Sequence, residues 1–406
     1  MPRVVITGLG VVAPLGDGPD AFFSHLLEGR SGIAALPDEP GRYVAARARF
    51  DADDHFAPSR SAQLDRGTQF ALVAASQAIA QAGLRDNGPQ TERIGVYWGT
   101  GMGGAATVDE GYRRYYGSAD GRMRPLTVVM GMNHAPAAQI SIEHGLRGPL
   151  LTFSSACASS AQAIGEALKA IRAGMVDAIV AGGSEAPLTP GTLHAWSILR
   201  ALAAPDRTHA SRSCKPFAAD RAGLVLGEGA AALVLESEDS ARARGAAILA
   251  ELVGYGSSAD ATHVSAPDPA GQARALRAAL DDAHVDPSAV GYLNAHGTGT
   301  VSGDVAETLG IKAVFGEHAR GLSVSSTKSM HGHLMGAAGA LELIVAIQAL
   351  RQRALPPTAH LDMRDPLCDL DYVPNVARHD VDVGVAMSSS FAFGGANTVL
   401  VARRYQ

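Results

Sequence analysis

The sequence contains three pairs of apolar segments that resemble each other and keep the same order along the chain. The pairs are residues 94–98 with 290–294, 151–155 with 385–389, and 229–235 with 395–401. Each segment is a short apolar run next to glycine or serine, a pattern typical of a buried strand. Because chance similarity would not keep the order of three separate segments, the pattern predicts a duplicated α/β unit.

Helical stretches accompany the predicted strands and set the boundary between the two units. The first pair of strands follows stretches with helical spacing at residues 70–82 and 273–283. We place the boundary after a polar helix at 237–244, which gives an N-terminal half, 1–244, and a C-terminal half, 245–406. Continuous apolar strands that alternate with helices predict an α/β fold whose sheets are covered on both faces.

Charge and cysteine content exclude several classes of protein. The chain has 406 residues and a formal net charge of −6, from 34 basic and 40 acidic residues, which argues against a general nucleic-acid-binding protein. Three cysteines, Cys157, Cys214 and Cys368, are too few for a disulfide framework and suit a reducing compartment. No apolar run reaches the roughly 18 residues that span a bilayer, so we expect a cytoplasmic protein without a membrane segment.

The N-terminal segment imitates the start of a dinucleotide-binding domain. Residues 4–6 predict a short strand, too short for a signal peptide, and Thr7 and Gly8 predict a turn directly after it. Gly8 and Gly10 match the first two glycines of a dinucleotide-binding fingerprint. The third glycine of that fingerprint, at the helix-packing position, is missing, and Pro14 falls where the phosphate-binding helix would run. These features exclude a dehydrogenase of this type.

Cys157 is placed where a nucleophile would be expected. It follows a predicted strand through small residues, and apolar residues with helical spacing follow it as far as a glycine at position 174. The start of a helix lowers the pKa of a thiol and offers backbone N–H groups to a developing oxyanion. The alternative is an inert buried cysteine. The small neighbours leave room for a ligand and favour the nucleophile.

Two histidines and a lysine lie in glycine-rich turns of the C-terminal half. His296 directly follows a predicted buried strand, and Lys328 and His333 precede a helix that we expect to begin near Ala337. The chain has only four lysines, which favours a function for one beside histidines. The alternatives are plain exposed loop residues and a metal site that would join His331 to the other two histidines and a cysteine. We disfavour the metal site because no carboxylate pattern supports it.

Motifs spread over nearly the whole chain keep the order found in one enzyme family. They are residues 5–10, 156–157, 294–298, 326–329 with 332–333, 369–375 and 391–395. This series resembles the β-ketoacyl-[acyl carrier protein] synthases, the condensing enzymes of fatty acid and polyketide synthesis, and most of all the free-standing type II elongating ketosynthases. The resemblance implies a thiolase-like fold, in which two duplicated halves form a layered αβαβα core.

The resemblance also implies a reaction and its residues. Cys157 would carry the acyl chain, His296 and His333 would act on the malonyl unit, and Lys328 would organise the charge of the site. The implied activity is decarboxylative Claisen condensation of malonyl-[acyl carrier protein] with the acyl chain on cysteine, giving a 3-oxoacyl product in fatty acid or type II polyketide or polyene synthesis. Backbone N–H groups of Cys157 and Phe391 would form the oxyanion hole, with Phe391 as a gate. No metal or redox cofactor is implied, since phosphopantetheine arrives on the carrier protein.

Further positions are assigned by the same resemblance. The expected substrate-binding residues are two that bond the phosphopantetheine arm, one phenylalanine of the last motif, and two in the acyl tunnel: Thr298, Thr300, Phe393, Val108 and Trp196. Of the two tunnel residues, Trp196 is expected to limit the chain length. A buried acid, which could equally be a plain ion-pair partner, is expected near the lysine at Glu342. The expected ligands of a structural monovalent cation are Asn294, Glu342 and Ser388.

The sequence departs from the family pattern at three places. Ser155 stands two residues before the cysteine, where relatives often have a threonine. Ala392 stands where relatives have a glycine between two phenylalanines, and an alanine there would stiffen the gate. Ala62 and Gln63 stand where relatives carry basic residues that receive the acidic carrier protein, although Arg60 and Arg66 lie nearby. We therefore expect a dedicated carrier protein.

The expected partners are an acyl carrier protein and a second subunit, in a homodimer or in a heterodimer with a chain-length-factor-like subunit. Residues 130–134 are expected to reach the partner's acyl tunnel. The alternative function is that of a non-catalytic chain-length partner, although such subunits usually lack the nucleophile. A thiolase would need a cysteine within residues 391–395, where there is none, and a serine hydrolase built on Ser184 fails the nucleophile-elbow pattern.

Overall fold

A computed structural model of the protein describes residues 2–37, 41–84 and 89–406. Its strands are β1 (Val4–Ala13), β2 (Gly16–Asp17), β3 (Ile33–Ala35), β4 (Val44–Ala46), β5 (Ile94–Gly99), β6 (Leu150–Phe153), β7 (Ala178–Glu185), β8 (Gly229–Ser237), β9 (Ala250–Ala259), β10 (Val290–Asn294), β11 (Ser323–Ser325), β12 (Val385–Phe391) and β13 (Ala396–Arg403). Its α-helices are α1 (Pro19–Leu27), α2 (Pro58–Ser61), α3 (Arg66–Ala82), α4 (Ala105–Gly117), α5 (Thr127–Gly131), α6 (Ala135–His144), α7 (Ser159–Arg172), α8 (Pro190–Ile198), α9 (Glu238–Ala243), α10 (Pro269–Ala283), α11 (Val301–Phe315), α12 (Lys328–His331) and α13 (Ala338–Gln352).

One large sheet runs through the molecule, and its strand order repeats. From edge to edge the order is β11, β10, β12, β13, β9, β1, β8, β7, β5 and β6, and β2 pairs with β1. This path holds five strands of each half: β1, β5, β6, β7 and β8 in the first half, and β9 to β13 in the second. Outward from the central pair β9 and β1, each half has the first, fifth, fourth, second and third of its five strands, in that order. The directions repeat as well: β1–β8 and β9–β13 are antiparallel, whereas β5–β7 and β10–β12 are parallel. The predicted duplication is therefore present in the sheet topology.

Two of the three repeated segments occupy equivalent strands, and one does not. Residues 94–98 and 290–294 lie in β5 and β10, and residues 229–235 and 395–401 map to β8 and β13, which are counterparts in the repeat. Residues 151–155 belong to the end of β6, whereas 385–389 lie in β12, whose counterpart is β7. This pairing was wrong because an apolar run ending in Ser-Ser does not specify the neighbour that a strand pairs with: residues 385–389 are buried, whereas 151–155 lie at an exposed edge. The division at 244/245 falls between α9 and β9 and stays a prediction.

Five layers follow from the way the helices pack. Helices α7 and α13 contact each other and contact strands of both halves, so they form the middle layer. Helix α3 covers β1 and β8 on one outer side, and α10 covers β9 and β13 on the other. Residues 338–350 of α13 are all buried, as expected for a helix between two sheets. This arrangement agrees with the expected αβαβα core.

Strand β1 corrects the prediction of a turn at Thr7 and Gly8. The strand continues to Ala13, with only a shift of register between Ile6 and Gly8. A Cβ atom on Gly8 would lie 2.0 Å from the carbonyl oxygen of Ala78, and one on Gly10 would lie 1.9 Å from that of Ala74. The glycines therefore allow α3 to pack closely against the strand, and they do not mark a turn or a nucleotide site.

The helices predicted from the sequence are present, with ends shifted by a few residues. The stretches at 70–82, 273–283 and 237–244 correspond to α3, α10 and α9, and the helix expected near Ala337 is α13. None of the helices in the described residues combines the length and the apolar character that crossing a bilayer requires.

Candidate active site

Cys157 lies in a tight turn between β6 and α7, as predicted. The residues Ala156–Ala158 form a 3-10 turn, and α7 begins at Ser159. Ala156 has a φ of +49°, a left-handed conformation that is uncommon for a residue other than glycine. The Ser159 hydroxyl accepts from the backbone N–H of Ser155 (2.9 Å) and donates to the carbonyl of Ala156 (2.7 Å), which holds this bend in place.

Burial has a larger effect on the pKa of the Cys157 thiol than the start of helix α7 has. The residue is only 4% exposed, and this burial raises the pKa of its thiol to about 12. The positive charge of Lys328 and the backbone N–H of Phe393 act in the opposite direction. The predicted lowering of this pKa was therefore wrong. The resting residue is a neutral thiol, which needs a base close by if it is to react.

His333 supplies that neighbour, and His296 lies beside it. The Nε2 atom of His333 is 2.9 Å from the Sγ atom of Cys157. The rings of His296 and His333 meet edge to face, with centroids 5.3 Å apart. Burial, and then the charge of Lys328, lower the pKa of both histidines well below 6.5. Both imidazoles are therefore neutral near pH 7 and can each donate one N–H hydrogen bond.

A buried glutamate that the sequence analysis did not single out fixes the backbone at His296. Glu307, on α11, accepts hydrogen bonds from the backbone N–H groups of His296 (2.8 Å) and Gly297 (2.7 Å) and from the hydroxyl of Ser389 (2.7 Å). Asp304, one turn earlier, accepts from the N–H groups of Gly299 and Phe217. The available signal was two acidic residues three apart in a helix that directly follows a histidine–glycine turn.

Lys328 and Glu342 form an ion pair that is fully buried. The Nζ atom of Lys328 donates to Oε1 of Glu342, and neither side chain has exposed surface. Burial raises the pKa of Glu342, and the ammonium group opposes this rise. The two interpretations of Glu342, a buried acid near the lysine and an ion-pair partner, describe the same contact.

A third carboxylate, also missed from the sequence, connects the loop after β5 to the turn before α13. Glu185, the last residue of β7, accepts from the N–H groups of Gly101 (2.6 Å), Met102 (3.0 Å) and Gly336 (3.0 Å). Its neighbour Ser184 accepts from Nε1 of Trp98 (3.0 Å) inside the core. Ser184 is therefore a structural residue, in agreement with the exclusion of a serine hydrolase.

The structure separates His331 from the other two histidines. Within the described part of the chain, one group of possible metal ligands is found, Cys157, His296 and His333, whose donor atoms lie within 4.8 Å of one another. His331 instead approaches Oγ1 of Thr327 with its Nε2 atom at 2.9 Å, so its place in the alternative metal site was wrong. The Nδ1 atoms of His296 and His333 have no hydrogen-bond partner, whereas metal-binding histidines ordinarily donate from the second nitrogen. The geometry favours hydrogen bonding to a substrate.

A cavity of about 380 Å³ leads from the surface to Cys157, His296 and His333. Thr298, Thr300 and Phe393, expected to contact substrate, are among its lining residues, and the two threonine hydroxyls lie 3.1 Å apart. Val108 and Trp196 are not among them. Val108 lies on α4 and faces Gly131 of α5, and Trp196 stacks on Phe393.

The two phenylalanines of the last motif differ in their relation to the thiol. Phe391 is the final residue of β12, in register with Asn397, and its ring lies 6.2 Å from that of His296. Phe393 lies in the loop beyond the strand, and its backbone N–H is the one that acts on the Cys157 thiol. The structure therefore places Phe393 where the sequence analysis placed the N–H donor of Phe391, because the strand extends through Phe391 and the loop begins after it.

Comparison with known proteins agrees with this geometry. Residues 1–241 match the family described as "Beta-ketoacyl synthase, N-terminal domain", and residues 249–362 match "Beta-ketoacyl synthase, C-terminal domain". The chain belongs to the β-ketoacyl synthase family. Among curated relatives, a 3-oxoacyl-[acyl-carrier-protein] synthase 2 of Staphylococcus aureus is 42% identical over 411 aligned positions, which cover 100% of this chain and 99% of the relative. A nodulation protein E of Rhizobium meliloti is 44% identical over 402 positions, covering 98% of each.

Solved ketosynthase structures share the fold over the full length. A ketosynthase bound to a hexaketide, in complex with its type II polyketide acyl carrier protein, has a TM-score of 0.92 and 32% identity, with 100% of both chains covered. The ishigamide ketosynthase/chain length factor also has a TM-score of 0.92, with 34% identity and 100% coverage of both chains. These structures confirm the expected thiolase-like ketosynthase fold for this member of the family.

Proposed function

We propose that the protein is a β-ketoacyl-[acyl carrier protein] synthase of the elongating type. The observation that carries the proposal is the contact between Cys157 and His333 beside His296, at the inner end of a cavity. The enzyme condenses malonyl-[acyl carrier protein] with an acyl chain held on Cys157 and releases CO₂ and a 3-oxoacyl-[acyl carrier protein]. The pathway is fatty acid synthesis or type II polyketide or polyene synthesis.

The first half-reaction transfers the acyl chain to Cys157. The Sγ atom attacks the thioester carbonyl of the incoming acyl carrier, and Nε2 of His333 takes the thiol proton. The carbonyl oxygen becomes an oxyanion, which the backbone N–H groups of Cys157 and Phe393 stabilise. The phosphopantetheine thiolate then leaves and takes up a proton from solvent, while the His333 imidazolium releases its Nδ1 proton to solvent and keeps Nε2–H for the next step. This order of steps suits a neutral thiol with a neutral imidazole 2.9 Å away.

The second half-reaction makes the carbon nucleophile from malonyl thioester. The bond between the carboxylate and the α-carbon breaks, CO₂ leaves, and its electron pair becomes the enolate of the acetyl thioester. The N–H groups of His296 and His333 hold the enolate oxygen. The α-carbon then attacks the Cys157 thioester, and the new carbon–carbon bond forms as the cysteine leaves as a thiolate. The thiolate takes the proton of His333 Nε2–H, and Nδ1 of His333 regains a proton from solvent, which is the one proton that the reaction consumes.

Lys328 acts through the histidines and not on the substrate. Burial is the main cause of the low pKa of His296 and of His333, and the charge of Lys328 lowers it further, so both imidazoles stay neutral and able to donate to an enolate. Thr298 and Thr300 line the cavity outside the histidines and are the proposed contacts of the phosphopantetheine arm.

The proposed chemistry requires neither a metal nor a redox cofactor, but a structural monovalent cation fits the residues beside the site. The buried atoms Oδ1 of Asn294, Oε2 of Glu342 and Oγ of Ser388 have no hydrogen-bond partner among the described residues. Asn294 and Ser388 are neighbours in the register of β10 and β12. Three unsatisfied oxygens of this kind suit a hard cation, which these residues would hold and which would supply positive charge to the strand ends.

The proposed docking site for the carrier protein is the mouth of the cavity. Leu199, Val264 and Val301 line the mouth and are 53%, 70% and 65% exposed. Arg200 lies among them and forms no ion pair with any residue that the structure describes, so it is available to an acidic partner. By contrast, Arg60 and Arg66, the arginines near the positions that are basic in relatives, are engaged within the chain.

Arg66 pairs with Glu228 at 2.7 Å, and Arg60 lies 2.7 Å from Gln139 and 3.4 Å from Glu143. These contacts support the expectation of a dedicated carrier protein, because the positive charge on that side of the molecule is already partly neutralised.

The proposed partner subunit adds to the edge strand β6. In the described structure β6 pairs with β5 alone, and Leu150 and Leu151 are 36% and 45% exposed. An apolar, unpaired edge is the usual template for strand addition. Residues 130–134, which are the end of α5 and the turn before α6, lie beside this edge, since Asn133 donates to the hydroxyl of Ser154 (3.4 Å). A second copy and a chain-length-factor-like subunit are the two candidate partners.

The experiment that tests the function is mass spectrometry of the intact protein with acyl-[acyl carrier protein] and then malonyl-[acyl carrier protein]. We expect one acyl adduct, followed by its disappearance and the appearance of 3-oxoacyl-[acyl carrier protein]. A protein that takes up no acyl group would instead be the non-catalytic chain-length partner. The three cysteines are free and buried, which supports a reducing compartment, and we propose the cytoplasm.

A further inference from the structure

Trp196 and Phe393 form a contact between the two halves of the chain that the reaction scheme does not use. Their ring centroids are 5.8 Å apart, and their planes are inclined by 24°. Trp196 lies on α8 in the N-terminal half, whereas Phe393 lies in the loop between β12 and β13 and lines the cavity. Trp196 itself is half-buried and does not line the cavity, so it touches the reacting groups only through Phe393.

The loop that carries Phe393 is anchored on both sides of that residue. Before it, the N–H of Ala392 donates to the carbonyl of Ala396 (2.9 Å). After it, the N–H of Gly394 donates to the carbonyl of Val264 (2.7 Å), and Gly394 and Gly395 have φ values of +84° and +75°. Two successive glycines in this conformation can change their backbone angles at low cost. The backbone hydrogen bonds of the loop therefore do not fix the position of the Phe393 ring, which depends on a contact with another element of the structure.

Helix α8 is a firm support for such a contact. Its start is capped by Thr189, whose hydroxyl accepts from the N–H of Thr192 (3.3 Å). One turn before Trp196, Leu193 is 2% exposed and packs in a cluster with Leu224, and Trp196 packs against the same cluster. One side of the indole thus meets a fixed apolar cluster, and the indole also meets the Phe393 ring.

We propose that Trp196 is a positioning residue that holds Phe393, and with it the backbone N–H that faces Cys157, in the arrangement needed for acyl transfer. This inference rests on the proposed function, because the N–H matters when an oxyanion forms at Cys157. It replaces the expectation that Trp196 limits the chain length. Stacking of two aromatic rings adds stabilisation that an aliphatic side chain of similar position does not supply.

Hydrogen exchange of the loop tests the contact without any acyl chemistry. The variants are Trp196→Leu, which removes the ring, and Trp196→Phe, which keeps one. We expect amide exchange in the peptide that spans residues 391–395 to be at least about tenfold faster in Trp196→Leu than in the parent, because the loop opens more often. Exchange in Trp196→Phe should stay near that of the parent. Equal exchange in all three proteins would overturn the proposal.

Acyl loading tests the consequence for the reaction. The rate constant for uptake of an acyl group from an N-acetylcysteamine thioester, followed by intact mass, should fall by about 10- to 100-fold in Trp196→Leu, up to the cost of losing an oxyanion donor. Trp196→Phe should restore most of it, and the acyl chain lengths accepted should not change. Loading at the parent rate in Trp196→Leu would overturn the positioning role and leave the synthase function intact. If the parent itself takes up no acyl group, the proposed function fails, and the exchange measurement still decides whether Trp196 holds the loop.

Discussion

The Nε2 atom of His333 lies 2.9 Å from the Sγ atom of Cys157, although 176 positions separate the two residues in the sequence. Cys157 belongs to the turn before α7, and His333 follows α12 just before α13. Since α7 and α13 pack against each other in the middle layer, the residues at their starts meet at one place. The duplicated fold thus brings together a nucleophile from one half and its partner from the other.

Replacing the nucleophile should abolish acyl uptake. Cys157→Ala has no Sγ atom to form a thioester, so its intact mass should stay unchanged with any acyl-[acyl carrier protein]. Cys214→Ala and Cys368→Ala are the matched controls, since both residues are buried free cysteines away from the histidines. The controls should load like the parent. An acyl adduct on Cys157→Ala would show that another residue is the nucleophile.

Replacing either histidine should slow malonyl decarboxylation strongly, whereas the two replacements should slow acyl loading to different extents. Both His296→Ala and His333→Ala should lose malonyl decarboxylation by about 10²–10⁴-fold, because each supplies a donor to the enolate. Acyl loading should suffer more in His333→Ala, since of these two histidines it is His333 whose Nε2 atom lies 2.9 Å from the thiol sulfur. Release of CO₂ and uptake of acyl mass measure the two steps separately. A variant that decarboxylates at the parent rate would remove that histidine from the mechanism.

Removing one charge of the buried ion pair should lower the free energy of unfolding more than removing both charges. Glu342→Leu leaves the Lys328 ammonium buried without its partner, which typically lowers the free energy of unfolding by about 3–5 kcal/mol. The double variant Lys328→Met/Glu342→Leu removes both charges and should recover most of that stability in urea unfolding. It should remain poor in condensation, because the Lys328 charge, which adds to burial in lowering the pKa of His296 and His333, is gone. A double variant with parent activity would exclude this role of Lys328.

Much of this site was predictable from sequence, because its residues lie in short motifs with local geometry. The turn at Cys157 and the glycine-rich turns at His296 and His333 could be assigned in this way, and the structure brings all three residues together. The protonation state of the Cys157 thiol could not be predicted, since its pKa depends on burial by segments far apart in the chain. Glu185 and Glu307 were missed for the same reason: each bonds backbone N–H groups that only the folded structure assembles. Phe391 was chosen over Phe393 because the resemblance offers two phenylalanines in one motif, and the motif alone does not show whose N–H faces the thiol.

His331 should control stability in acid without taking part in the reaction. Burial lowers the pKa of its imidazole to about 3, whereas in the unfolded chain it titrates near 6.5. Below that value the unfolded chain gains a proton that the folded protein does not, so stability falls as the pH falls, by about 1.4 kcal/mol per unit from this group. In His331→Gln the loss of unfolding free energy between about pH 6 and pH 4 should be smaller than in the parent by that slope. Equal slopes in urea titrations of the two proteins would show that His331 already carries its proton in the folded state.

The edge strand β6 should determine assembly. Leu151 is 45% exposed on this edge and lies close in sequence to the nucleophile turn. A charge there would be desolvated on strand pairing, so Leu151→Lys should weaken assembly while the fold of the subunit is kept. Sedimentation of the parent should show a dimer, or a dimer only after a chain-length-factor-like subunit is added, and Leu151→Lys should sediment as a monomer. Ile142→Lys, at a 70% exposed position on α6, is the control for an added surface charge and should assemble like the parent. A Leu151→Lys protein that assembles as well as this control would place the interface on another surface.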